Sequence, residues 1–187
     1  MDSTAGAKKM TLTKKSFLTI LIALVLYWPH SFLYAKNFFI VTSVYDGDTI
    51  DCQGGGIIFR VRLAGIDAPE KKYFNRPEQP YAEAARKYLE NLVLGKKVTI
   101  KQIELDRYNH VLGIVSLERE SGFFSSSSDR QNINLEMLKW GFAEVPRGKH
   151  KFDIRPYRQA EKEAKAQKLN IWSQKDHVSP REWRKKR

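Results

Sequence analysis

Five short β-rich runs, each closed by a turn signal, constrain the fold of this chain more than any other feature. Residues 38–45 (Phe-Phe-Ile-Val-Thr-Ser-Val-Tyr) end at Asp46-Gly47, and residues 48–52 continue to the turn Gly54-Gly55-Gly56. Residues 57–65 alternate, with Phe59, Val61 and Leu63 on one face and Arg60 and Arg62 on the other. Residues 97–105 form a fourth run, whose apolar phase slips near Lys101-Gln102, and residues 111–117 form a fifth. A slip of that kind predicts a bulge or bend, which a sheet needs if it is to curl into a barrel. Between the strands, the stretch from Asp67 to Pro80 reads as a loop with Pro69, Pro77 and Pro80. Residues 81–94 read as a helix, with Tyr81, Ala85, Tyr88 and Leu92 spaced by three or four and Gly95 as its stop. Ser125–Ser128 mark a flexible loop within 119–130. Helices are expected at 133–140 and at 155–169, the latter with Glu161 and Lys165 paired one turn apart. This order predicts an α+β fold: a five-stranded OB-type β-barrel with about three packed α-helices.

The 187 residues divide unevenly by charge. The formal net charge is +12, of which +3 lies in residues 1–35, none in 36–144 and +9 in 145–187. Lys8, Lys9, Lys14 and Lys15 precede an apolar run from Phe17 to Trp28, then Pro29 and the ending Leu33-Tyr34-Ala35. That order is read as a signal peptide over residues 1–35. The run is shorter than the ~20 residues that span a bilayer, and the alternative is an uncleaved membrane anchor through residues 17–28. The expected location is secreted or periplasmic, in a bacterium, or membrane-anchored if the signal stays. Residues 36–174 are expected to form the folded domain and 175–187 a basic tail. With Cys52 the single cysteine, an internal disulfide framework and a multi-cysteine metal site are excluded.

Two acidic clusters flank the first strands: Asp46-Gly47-Asp48-Thr49, and Asp67-Ala68-Pro69-Glu70. Each alone is an ordinary turn or loop sequence. If the sheet brings them together, several carboxylate oxygens converge, which suits a hard cation such as Ca²⁺. Arg62 lies five residues before Asp67 on the polar strand face. A guanidinium there would offer a planar fork to a phosphate. A cation and an arginine about one phosphodiester would stabilise the extra negative charge of its transition state. His150 and His177 have no acid or cysteine at ligand spacing, and Cys52 reads as a strand residue. The terminal Pro180–Arg187 is basic with one aromatic, and reads as a phosphate- or acidic-lipid-binding tail or a solvated end.

These stretches resemble the staphylococcal nuclease (thermonuclease-like) family. The matching blocks are Asp46–Thr49, Arg62-Leu63 with Gly65–Glu70, Tyr81 with Glu83-Ala84, Asp106-Arg107-Tyr108, Asn134–Glu136 with Gly141–Ala143, Glu163–Ala166 and Lys168–Ser173. The resemblance implies an OB barrel with three helices and Ca²⁺-dependent hydrolysis of DNA and RNA. It implies that Asp48 and Asp67 bind Ca²⁺ through carboxylates and Ala68 through its carbonyl. It gives Glu70 the role of general base for the attacking water and Arg62 that of gripping the scissile phosphate. Arg107 and Tyr108 would lie near a flanking phosphate, and Asp46 would support the metal ligands from behind.

Two departures stand out. The family's second catalytic arginine is matched by His110, which cannot reproduce a guanidinium fork but could donate a proton to the leaving oxygen. Tyrosines near the family's substrate are matched by Arg147 and Lys149, which exchange stacking for charge. The expected protein is therefore an exported, monomeric nuclease on DNA and RNA, favouring unpaired strands. The alternative is an OB module that binds nucleic acid without cutting it. A third reading is a membrane-tethered accessory protein of an export or DNA-uptake apparatus, which requires residues 17–28 to remain attached.

Overall fold

Turn chemistry decides the first half of the barrel. Strand β1 (Phe39–Asp46) pairs antiparallel with β2 (Thr49–Gly54), the last partners being Asp46 and Thr49. Strand β2 then pairs with β3 (Ile57–Leu63) across Gly55 and Gly56, whose φ angles are +59° and +81°. Positive φ at both central positions gives the primed turn that follows strand twist, and glycine adopts it without strain. This computed structural model describes residues 38–72, 74, 77–106, 110–118 and 130–185. The expected signal segment, the Ser125–Ser128 loop, Arg107 and Tyr108 lie outside the described residues.

Strand β1 also pairs with β4 (Lys97–Leu105), and β4 pairs with β5 (Val111–Glu118), both antiparallel. Strand β5 returns parallel to β3, matching Val61 with Val111, Arg62 with Leu112 and Leu63 with Gly113. That pairing closes a five-stranded mixed barrel of the OB type, as the strand order predicts. The apolar slip at Lys101-Gln102 corresponds to a register shift between Gln102 and Glu104 against β5. A sixth strand, β6 (Arg130–Asn132), extends β5 outside the barrel. Three polar residues carry no alternation to read, so only the pairing with β5 defines it.

Helix α1 (Ala82–Val93) follows the proline-rich loop, α2 (Ile133–Lys139) follows β6, and α3 (Arg155–Ala166) comes next. A short 3₁₀ turn (Asn170–Ser173) and a four-residue helix α4 (Pro180–Trp183) complete the chain. The buried stripe of α1 is Ala82, Ala85, Leu89 and Val93, one position along from the Tyr81-Tyr88-Leu92 spacing in the sequence. Small alanines face the barrel because the helix comes very close to it, while Tyr88 stacks on Phe142 at 4.6 Å. The expected Glu161–Lys165 pair of α3 forms at 3.2 Å. The barrel interior holds Val41, Ile50, Cys52, Val61, Leu63, Val98 and Val115, sealed by Leu89, Ile133, Met137 and Leu138. Burial pushes the Cys52 thiol up to about 12, which leaves it inert.

One glycine fixes the distance between α1 and the first acidic turn. A Cβ on Gly47 would lie 2.7 Å from the Ala68 Cβ and 2.8 Å from the Ala85 Cβ. Gly47→Ala is therefore expected to destabilise the fold by about 1–3 kcal/mol, the usual cost of overpacking. Chemical denaturation measures it, and an unchanged midpoint would show that the turn and helix are less tightly apposed than described.

Candidate active site

The hairpin and the barrel closure place the acidic clusters at one rim. Thr49 is the register partner of Arg62, and the Leu63 N–H donates to the Asp48 carbonyl at 2.8 Å. Asp48 is thereby set beside the polar face of β3. After β3, Asp67 is clamped by two backbone hydrogen bonds with Glu144, of 2.8 and 3.0 Å. Both carboxylates are buried, each only 3% exposed.

The two clusters meet at Arg62. Its Nη2 donates to Asp48 Oδ2 and to Asp67 Oδ1, each at 2.9 Å. Asp48 Oδ2 also accepts from the Ala68 N–H at 3.2 Å, and Asp48 Oδ1 accepts from the Thr49 hydroxyl at 2.8 Å. Asp46 stands behind, its Oδ1 accepting from the Asp48 N–H at 3.0 Å. Burial pushes the Asp48 carboxyl up to about 7; Arg62 pulls it back, and Asp46 and Asp67 add to the rise. Arg62 is in turn held more firmly protonated, chiefly by Asp48. Two buried carboxylates that share one point require positive charge there.

Glu70 lies at the edge of this cluster and is drawn to a second arginine. Arg184 Nη1 donates to Asp67 Oδ1 at 3.0 Å and to Glu70 Oε1, and its Nη2 donates to Asp67 Oδ2 at 2.8 Å. Burial raises the Glu70 carboxyl, with the Arg184 hydrogen bond opposing. The bonds to Asp67 lift the Arg184 guanidinium further above its ordinary value. Nothing in the sequence pattern singles out Arg184. It is 117 positions from Asp67, in a run where neighbouring basic residues look alike.

His110 is paired with Asp106. Its Nδ1 is 3.1 Å from Asp106 Oδ2, and its backbone N–H donates to Asp106 Oδ1 at 2.9 Å. A carboxylate behind the imidazole favours the tautomer with Nδ1 protonated and leaves Nε2 for proton transfer. His110 and Arg62 line one hollow of about 240 Å³, with Tyr45, Asp46, Thr49, Arg60 and Asp106. Arg147 and Lys149 line a second hollow, of about 300 Å³, which also contains Arg62, Asp67, Lys151 and Arg184. The structure therefore brings together Asp46, Asp48, Arg62, Asp67, Ala68 and Glu70, and puts Arg147 and Lys149 at the same rim.

The donor set suits a hard divalent cation. Its side-chain ligands would be oxygens only, and the two buried aspartates already converge on a positively charged nitrogen at 2.9 Å. Two carboxylates rather than three share that point: among the described residues no group of three His, Cys, Asp or Glu forms a ligand cluster. Glu70 is held aside by Arg184, and the site contact of Ala68 runs through its N–H. The remaining ligands would come from backbone carbonyls and water.

An OB barrel with buried aspartates and an arginine converging at its rim belongs to the class of OB-fold nucleases. Residues 60–174 match the family described as staphylococcal nuclease homologue, and the chain belongs to that family. Nucleases of this family are metal-dependent hydrolases. The chain is 34% identical over 129 residues to the "Probable endonuclease LCL3" of Komagataella phaffii, covering 67% of this chain and 54% of that protein. The proteins of that name from Saccharomyces cerevisiae (strain RM11-1a) and Candida glabrata are 38% and 39% identical over 130 residues, again 67% of this chain, with 45% and 48% of their own lengths covered. The chain thus spans about half the length of the curated relatives it matches.

Proposed function

We propose that this protein is a Ca²⁺-dependent nuclease that hydrolyses phosphodiester bonds of DNA and RNA with little sequence preference, favours unpaired strands and acts as a monomer. The observation that supports it best is the shared approach of Asp48 and Asp67 to Arg62 Nη2, 2.9 Å from each. Asp48 and Asp67 would hold the metal, with Asp46 and Thr49 fixing the Asp48 carboxylate. Bound there, a divalent cation would polarise the phosphate and offset its developing charge. Arg62 grips the non-bridging oxygens and meets the charge of the five-coordinate transition state. Glu70 orients the attacking water and takes its proton, a role favoured by burial raising its carboxyl above the ordinary value. As the imidazolium, with Asp106 holding Nδ1–H, His110 delivers its Nε2 proton to the leaving oxygen and is left neutral. Arg147 and Lys149 guide the backbone along the rim, which gives binding that depends on salt more than on sequence.

Export, or tethering through residues 17–28, rests on residues 1–35, and N-terminal sequencing of the secreted or membrane fraction tests it. Among the described residues no helix is long and apolar enough to cross a membrane. The catalytic test is digestion of single-stranded DNA with Ca²⁺ and with a chelator. Cleavage is expected with Ca²⁺ and is expected to stop on chelation. A DNA complex that persists in chelator, with intact DNA recovered under both conditions, would favour a binding module. If cleavage then returned with His110→Arg, it would identify the loss at that position.

A further inference from the structure

The C-terminal segment lies beyond residues 60–174, the stretch that matches the family, yet it reaches into the centre of the site. Its docking is specific. Gln79 Nε2 donates to the Val178 carbonyl at 2.7 Å, and Trp183 Nε1 donates to the Pro77 carbonyl at 3.3 Å. His177 Nε2 lies 3.1 Å from a Glu144 carboxylate oxygen, beside the Asp67 clamp. Ser179 caps α4, its hydroxyl accepting from the Glu182 N–H at 3.2 Å. Arg184 follows at the end of α4, with its guanidinium across Asp67 and Glu70. It also stands where two basic hollows meet. One contains Arg62, Arg147, Lys149 and Lys151, and the other, of about 460 Å³, contains Arg147, Arg181 and Lys185.

We propose that Arg184 is a second phosphate-binding arginine of the active site, delivered by the docked C-terminal segment. The proposal rests on the nuclease reading and adds a substrate contact to it. Charge balance supplies the reason. Asp46, Asp48, Asp67 and Glu70 outweigh Arg62 and one divalent ion, so the site is already negative before a phosphate arrives. A phosphodiester then adds a negative charge, and its transition state adds more. Arg184 supplies the missing positive charge. Its planar fork, spread over both Asp67 oxygens, has the geometry that also fits two phosphate oxygens. If Asp67 gave its oxygens to a cation, the Arg184 guanidinium, anchored within reach, would be left to bind the substrate phosphate.

The experiment compares the full-length protein and its Arg184→Gln, Arg184→Lys and Trp183→Ala forms, each with a phosphorothioate-linked probe that resists cleavage. Affinity for a fluorescein-labelled single-stranded oligonucleotide is measured by anisotropy in Ca²⁺ over a range of salt, with probe integrity checked on the same samples. Arg184→Gln is expected to weaken binding at least about 10-fold and to reduce the salt slope by about 0.7, the value of one phosphate contact on a single strand. Arg184→Lys should keep the slope and lose part of the affinity, because the charge stays and the fork goes. Trp183→Ala, which loosens the anchor and keeps the arginine, should also keep the slope. Ca²⁺ binding is measured by calorimetry without probe. Unchanged probe affinity and slope in Arg184→Gln, with Ca²⁺ bound more tightly, would overturn the proposal and make Arg184 a plug on the carboxylates. Absence of cleavage by the unmodified protein would count against the nuclease reading instead, since affinity and slope report on Arg184 either way.

Discussion

Arg62→Gln is expected to slow DNA hydrolysis by about 10²–10³-fold, the typical loss when one strong transition-state donor is removed. The geometry makes this arginine hard to replace. It lies on a strand locked on both sides, by Thr49 in β2 and Leu112 in β5, so its Cα has little freedom. Its Nη2 already sits between the Asp48 and Asp67 carboxylates, so a phosphate gripped there needs little reorganisation of the arginine. Arg62→Lys should recover little of the rate. A lysine restores a point charge but not the planar fork that meets two phosphate oxygens. Initial rates on single-stranded DNA at saturating Ca²⁺ separate the cases. A rate within threefold of the unmodified protein for Arg62→Gln would remove Arg62 from the chemistry and leave it a structural counter-ion of Asp48 and Asp67.

The barrel and the acidic half of the site are legible in the sequence because local rules specify them. Gly55-Gly56 announces a tight hairpin, and its register brings Thr49 opposite Arg62. The alternation of Val61 and Leu63 against Arg60 and Arg62 assigns the faces of β3, and the slip at Lys101-Gln102 marks where β4 shifts against β5. Once these are set, Asp48 and Asp67 have one rim to occupy. What local rules cannot carry is contact made late in the chain. Arg184 and Asp67 are paired through the docking of Val178 and Trp183 onto the loop after Asp67, and no periodicity encodes that docking. The pairing of His110 with Asp106 is equally hidden, since an i,i+4 spacing identifies neighbours on a helix and this segment enters a strand. The stripe of α1 is displaced by one position because Ala85, rather than a larger tyrosine, meets the Gly47 turn.

Charge patterning looks different once the fold is known. Among the described residues, the basic excess after residue 144 does not form a separate electrostatic tail. Arg147 and Lys149 line the hollow beside Asp67, and the last described turn returns Arg181, Arg184 and Lys185 to the same rim. The neutral barrel supplies the carboxylates, and the basic C-terminal quarter supplies a field that favours a polyanion beside them.

The largest expected stability effect lies at Asn134, which is fully buried at the start of α2. Its Oδ1 accepts from the Val115 N–H at 3.0 Å, and its Nδ2 donates to the carbonyls of Ala64 at 2.8 Å and Gly113 at 3.1 Å. One amide thus stands in for a strand where β3 ends and β5 continues. Gly113 O also accepts from the Ala64 N–H at 2.8 Å, so it keeps a partner if Asn134 is lost. The Val115 N–H and the Ala64 carbonyl lose this partner in Asn134→Leu, a change that roughly conserves volume. Two buried groups left unsatisfied at about 1–3 kcal/mol each put the loss near 4 kcal/mol. For a domain of this size that lowers the melting midpoint by roughly 10 °C. Asn134→Asp keeps the acceptor for Val115, but it removes the donor and buries a charge, so it should be no better. Calorimetric melting of the metal-free protein measures both variants. The damage should extend to the site, because Ala64 leads through Gly65 and Ile66 into the Asp67 clamp. Ca²⁺ affinity in Asn134→Leu should fall even at temperatures where the protein stays folded. A midpoint within 2 °C of the unmodified protein would mean that α2 and the barrel are joined by apolar packing alone, with the amide bonds adding nothing net to stability.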